Sequence, residues 1–209
     1  MKRKIIIILP FVFVLVGIIF ISVFGINKRK LEFSTDLSTY SKQQTNVYMS
    51  ADYSDALVVF PNEISGNAQV NNYFVLEVKQ MFKRIGYHIA LDITYSESEY
   101  DAEIARLQGW QRTYNYQNTQ GMVGLLYDTE NFQYPAFVAS YNLMLAYEYA
   151  LILDDYRIVY VYINWIEKGE SRLDDAYLPN NYFEKNDSIM GWTYNVYRDK
   201  SMWEYDQTE

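Results

Sequence analysis

Few residues in this chain could carry covalent or acid–base chemistry. It has one histidine and no cysteine. Without cysteine there is no disulfide framework, thiolate zinc site, iron–sulfur cluster or thiol nucleophile, and one histidine cannot build a multi-histidine metal site. His88 has the side-chain type whose ordinary pKa suits a general base. It lies in the middle of a strand-like alternation, on the polar side, and no Gly-x-Ser-x-Gly turn accompanies it. It reads as a partly exposed strand histidine. Carboxylates offer the other route, because glycoside hydrolysis needs one acid as proton donor and a second as nucleophile or base. Glu97, Glu99, Asp101 and Glu103 cluster, but Glu99 and Glu103 would share a solvated helix face, and acids early in a helix are expected for dipole reasons. Asp154-Asp155 and Asp174-Asp175 sit in turn-like sequence, where aspartate bonds its own backbone. No calcium-loop spacing occurs. The sequence therefore assigns no catalytic residue, no metal ligand and no cofactor.

The remaining chemical signal is aromatic. The chain carries 22 tyrosines, 11 phenylalanines and 4 tryptophans. Tyrosine and tryptophan offer a flat face with a polar handle, which suits sugars and protein partners as well as strand interiors. Trp110, Tyr114 and Tyr116 fall in a glutamine- and asparagine-rich segment that reads as a loop. They are the candidate binding residues.

The elements that must position these groups follow from periodicity. Ala56 to Pro61, a continuous apolar run closed by proline, reads as a buried strand. Gln69 to Gln80 is rich in strand formers. In Tyr87 to Tyr95 large residues occupy the odd positions, as in a half-buried strand. Ser96 with Glu99 forms a capping box before the stripe Tyr100, Ile104, Leu107, and Gly109 stands where a left-handed cap would end the helix, so a helix is predicted over Glu97 to Gln108. Gly121 to Asp128 and Ala136 to Ser140 read as strands. Tyr141 to Leu153 and Arg157 to Trp165 read as a hairpin whose turn includes Leu153 or Tyr156, since Asp-Asp is a poor two-residue turn.

Charge and hydropathy divide the chain further. Residues 1–30 hold six basic groups and no acid, whereas residues 31–209 hold 12 basic against 26 acidic groups. That acidity argues against nucleic acid as a partner. Ile5 to Ile26 is a 22-residue run without a charge between Lys2-Arg3-Lys4 and Lys28-Arg29-Lys30. As a helix it would span about 33 Å, enough for a bilayer core, and it exceeds the apolar core of a cleaved signal peptide. The expected organisation is a basic head (1–4), a transmembrane helix (5–26), a polar stalk (27–46), an α+β domain (47–182) and an aromatic-rich tail (183–209). The expected fold class is α+β, a mostly antiparallel β-sheet domain with one packed helix, preceded by the transmembrane helix. The balanced basic flanks leave orientation to the first-helix default, which puts the C-terminal domain outside the cell; a cytoplasm-facing domain is the alternative.

The segments ALVVFP (Ala56 to Pro61), TYSESEYDAEIARL (Thr94 to Leu107) and LLYDTENFQYPAFVAS (Leu125 to Ser140) resemble those of uncharacterised single-pass, membrane-anchored extracytoplasmic proteins of Gram-positive anaerobes. The resemblance implies location and fold class and no activity. The functional expectation is a membrane-tethered extracytoplasmic binding or interaction domain. Its partners would be the bilayer, through Ile5 to Ile26, and an envelope protein or glycan. The alternative is a hydrolase of envelope polymers using paired carboxylates.

Overall fold

A computed structural model describes residues 28–40, 57, 59–80, 83–116, 119–139, 146–164, 166–167, 169–180 and 182–183. Its centre is an antiparallel sheet of eight strands: β1 (Lys30–Ser34), β2 (Gln69–Gln80), β3 (Lys83–Thr94), β4 (Gln111–Tyr116), β5 (Thr119–Asp128), β6 (Ala136–Ala139), β7 (Ala146–Ile152) and β8 (Arg157–Asn164). The spatial order is β1-β2-β3-β8-β7-β6-β5-β4. Two meanders, β2-β3 and β5 to β8, meet where β3 pairs with β8, Ile89 opposite Tyr162 and Leu91 opposite Tyr160. One helix, α1 (Glu97–Gln108), follows β3.

The sheet is buried on both sides, and the alternation of side chains sorts two cores. On one face Tyr73, Val75, Ile89, Leu91, Ile93, Ile158, Tyr160 and Tyr162 pack with Leu107 of α1 and with Leu57, Val59 and Phe60. On the other Phe74, Leu76, Val78, Tyr147, Tyr149, Val159, Val161 and Ile163 lie under Phe132, Ile166, Leu178 and Tyr182. Each large apolar side chain so buried stabilises the fold by about 1.5–3 kcal/mol before entropy is counted. Tyr182 reaches back over the sheet, its ring 6.0 Å from that of Tyr147 and 4.8 Å from that of Phe183.

α1 starts as its sequence dictates. Glu99 accepts the Ser96 amide at 3.2 Å and the Ser96 hydroxyl at 2.6 Å, closing the capping box. It stops at Gly109, but through a different device from the one expected. Gly109 has φ −86°, in the right-handed region, and the Ala105 carbonyl lies 3.2 Å from where a Cβ would stand. Close backbone approach, not a left-handed angle, favours glycine there.

Several expectations are corrected. The fold class carries no transmembrane helix among the described residues: none of their helices is long and apolar enough to cross a membrane, α1 having only 12 residues. The run Ile5 to Ile26 lies outside the described residues, as does the tail beyond Phe183. Among the described residues the fold class is an antiparallel sheet with one α-helix. The polar stalk expected over 27–46 contains β1, which pairs with β2 along its whole length. A strand at a sheet edge needs partners on one side only, so its polar composition hid it. For the same reason the segment expected as a loop after α1 is β4, an edge strand paired with β5. Conversely, Leu57, Val59, Phe60 and Pro61 are buried yet belong to no strand.

Candidate functional site

The buried polar groups come first, because acid–base chemistry would need one of them. Leu57, Val59 and Phe60 pack against one face of the sheet outside any strand, so the backbone groups there need side-chain partners. The fully buried Glu148 carboxylate accepts the Val59 amide at 2.6 Å, the Arg106 guanidinium donates to the Val59 carbonyl at 2.5 Å, and the Tyr40 hydroxyl donates to the Pro61 carbonyl at 2.6 Å. Arg106 is itself held by Glu103, Nε to Oε2 and Nη2 to Oε1, both at 2.7 Å. The Tyr160 hydroxyl donates to Glu103 Oε1 at 2.7 Å and lies 2.9 Å from the Tyr95 hydroxyl. Burial pushes the Tyr160 and Tyr95 phenols above their ordinary range. On the opposite face the Arg157 guanidinium holds Asp92 by two bonds, at 2.8 and 2.5 Å. These carboxylates are committed to backbone, guanidinium and phenol partners.

His88 departs from its expected exposure. It is fully buried, neither ring nitrogen has a hydrogen-bond partner among the described residues, and its ring meets Phe74 edge-on at 4.9 Å between centroids. Burial alone pushes its pKa down to about 3. The imidazole, enclosed by Phe74, Leu76 and Ile163, is held neutral and reaches no acceptor among the described residues. The sequence showed one polar face on β3, but the loops carrying Ile166, Leu178 and Tyr182 form a second layer over it.

The exposed aromatics tell a different story. Where β7 turns into β8, Asp155 and Tyr156 have φ of 60° and 59°, and neither is glycine. Left-handed backbone costs a non-glycine residue about 1–2 kcal/mol, and a two-residue turn of this kind normally takes Asn-Gly. The turn presents Tyr156, 42 % exposed, with its ring 5.6 Å from that of Tyr100 on α1 and tilted by 69°. Tyr127 at the end of β5, 54 % exposed, packs on Phe137 at 4.9 Å. Burial pushes the Tyr100 phenol up, and Tyr127, Asp101 and Asp154 add to the rise; the register Tyr127–Phe137–Ala150–Tyr160 sets Tyr127 on the sheet face that α1 covers. The phenol of Tyr156 is raised too, by Glu97 through charge and hydrogen bonding and then by Asp101 and Asp155. Tyr100, Tyr127 and Tyr156 thus form an aromatic surface rimmed by Glu97, Asp101, Asp154 and Asp155, four exposed carboxylates. Such a surface offers π faces and hydrogen-bond acceptors and suits a ligand bringing cationic or hydroxyl donors.

The sequence-derived candidates lie apart from this surface in the chain. Trp110 is half-buried at the junction of α1 and β4, its amide 3.4 Å from the Leu107 carbonyl. Tyr114 and Tyr116 lie along β4, paired with Gly121 and Thr119. Tyr127, Tyr100 and Tyr156 come from three separate elements, and the only sequence signal for them was the lack of glycine in the 154–157 turn. Among the described residues no group of three or more histidine, aspartate or glutamate side chains is placed to hold a metal ion. In comparisons with protein families, with curated proteins and with solved structures, nothing matches this chain.

Proposed function

We propose that this chain is a binding module that engages a donor-rich, positively charged envelope partner, an amino-sugar glycan or a basic protein segment, through Tyr100, Tyr127 and Tyr156. One observation carries the reading: Tyr156 occupies a left-handed backbone position that costs stability, and there it displays an exposed ring beside Tyr100. Backbone strain of this kind persists where it serves a site. The acidic rim supports a cationic partner, since ammonium groups are drawn both to carboxylates and to aromatic faces. The hydrolase reading is disfavoured because Glu103, Glu148 and Asp92 are committed to partners, while Glu97, Asp101, Asp154 and Asp155 are exposed to solvent rather than enclosed. Placement at the outer face of the cell membrane belongs to the same proposal. It rests on the uncharged run Ile5 to Ile26 and its basic flanks. β1 begins at Lys30, close behind that run, so the module would stand directly on the lipid surface without a spacer.

The test is calorimetric titration of the full-length chain in detergent with glucosamine oligomers, which carry free amines, and with their N-acetylated counterparts. The expected result is binding of the cationic oligomers, weakened at least tenfold by Tyr156→Ala and by added salt. Equal binding of both oligomers, or binding by Tyr156→Ala as tight as that of the natural chain, would overturn it.

A further inference from the structure

β1 carries its charges in an order that does not suit its neighbour. The register places Lys30 opposite Lys79 and Glu32 opposite Glu77, like against like at both positions, an arrangement that destabilises a strand pair. Other contacts offset it: Lys79 reaches Glu32 diagonally across the pair and Glu77 along its own strand. Lys30 remains 73 % exposed and bonds Glu32 of its own strand at 2.9 Å. On the other side of the strand Leu31 and Phe33 are 42 % and 52 % exposed, large apolar residues beside the buried Leu76 and Val78. Among the described residues nothing pairs with the outer edge of β1. Unpaired edges of this kind are templates for another strand.

We infer that β1 pairs antiparallel with β1 of a second copy of this chain, with Leu31 on the two-fold axis. The register follows from side-chain pairing. Placing Glu32 on the axis would set glutamate against glutamate. An axis between Leu31 and Glu32 is excluded by the pleat, because it would set the side chains of opposed residues on opposite faces of the sheet. With Leu31 on the axis, leucine meets leucine, and Lys30 of each copy meets Glu32 of the other, twice over. The charge order that is frustrated against β2 is complementary to itself. Hydrogen bonds from Lys79 and then Lys30 push the Glu32 carboxyl down to about 2, so it is ionised throughout the physiological range. The interface is isologous and closes on itself, joining two sheets into one.

The natural absence of cysteine makes the test clean. Full-length chains carrying Leu31→Cys or Leu37→Cys are expressed in cells and oxidised in place; Leu37, 38 % exposed and beyond β1, is the collision control. Leu31→Cys is expected to form disulfide-linked dimers at least tenfold faster than Leu37→Cys. Adding Glu32→Lys should cut that rate at least tenfold, and adding Lys30→Glu as well should restore it. Because the doubly exchanged chain also sets opposite charges against Lys79 and Glu77 of β2, urea midpoints are read alongside: the Glu32→Lys chain should unfold at the same midpoint as the Leu31→Cys chain, and slowing that tracks a lowered midpoint overturns the register. Leu31→Cys crosslinking no faster than Leu37→Cys overturns the proposal, whether its thiol is open to maleimide, meaning a bare edge, or shielded, meaning another occupant. Crosslinking unaffected by Glu32→Lys overturns the register and with it the charge argument.

Discussion

The carboxylate of Glu148 and the amide of Val59, 89 positions apart, are joined by a 2.6 Å hydrogen bond in the interior. Through it, and through the bond from Arg106 to the Val59 carbonyl, a peptide outside any sheet is held by charged side chains. Removing the carboxylate leaves a buried amide unsatisfied, and Glu148→Ala is expected to destabilise the fold by about 3 kcal/mol. Glu148→Gln keeps an acceptor oxygen and should cost about half as much. Urea denaturation midpoints check the order; equal losses would show that the acceptor is not what matters.

Tyr95, Tyr160, Glu103 and Arg106 form one buried polar chain linking the sheet to α1. Tyr160→Phe removes the donor to Glu103 and the partner of the Tyr95 hydroxyl and should cost about 1.5 kcal/mol, whereas Glu103→Leu strands both the phenol and the guanidinium and should cost about 3 kcal/mol. The double variant should lose less than the sum, with a coupling of about 1 kcal/mol. Strict additivity would mean that the two side chains do not act together.

His88 ties stability to pH. Its pKa is pushed down to about 3 in the folded chain, against about 6.5 when unfolded. Above the unfolded value both states are neutral and the group contributes no pH dependence. Between that value and the folded one the unfolded chain binds the extra proton, so stability falls as pH falls through this window. His88→Leu removes the effect. Relative to the natural chain its stability should improve by about 2 kcal/mol on going from pH 7.5 to pH 5. Thermal or urea unfolding at the two pH values reads this directly; a pH-independent difference would contradict a histidine buried in neutral form.

The strained turn separates stability from binding. Asp155→Gly relaxes a φ of 60° and is expected to stabilise the fold by about 1 kcal/mol while leaving the Tyr156 ring in place. Oligomer affinity should change less than threefold. Tyr156→Ala should instead abolish measurable binding. If Asp155→Gly destabilised the chain, the turn would not be strained.

Much of the sheet was legible in the sequence because central strands must alternate or run apolar. Helix α1 was legible to the residue because Ser96, Glu99 and Gly109 mark its ends. β1 and β4 were not, since edge strands pair on one side and tolerate Lys30, Glu32 and Gln111. Leu57 to Pro61 shows the opposite failure: an apolar run buried like a strand but bonded to Glu148 and Arg106, partners distant in sequence. The burial of His88 depends on a covering layer that strand periodicity cannot see. The aromatic surface was least legible, because Tyr100, Tyr127 and Tyr156 meet only through tertiary structure. Trp110, Tyr114 and Tyr116 stood out by local composition instead.

Hydroxyl-radical footprinting of the full-length chain, with and without saturating glucosamine oligomer, reports which rings a ligand covers. Oxidation of Tyr100, Tyr127 and Tyr156 is expected to fall at least threefold on binding, while Phe33 and Tyr177 react as before. Protection confined to other residues, with these three tyrosines unchanged, would contradict the proposed binding surface.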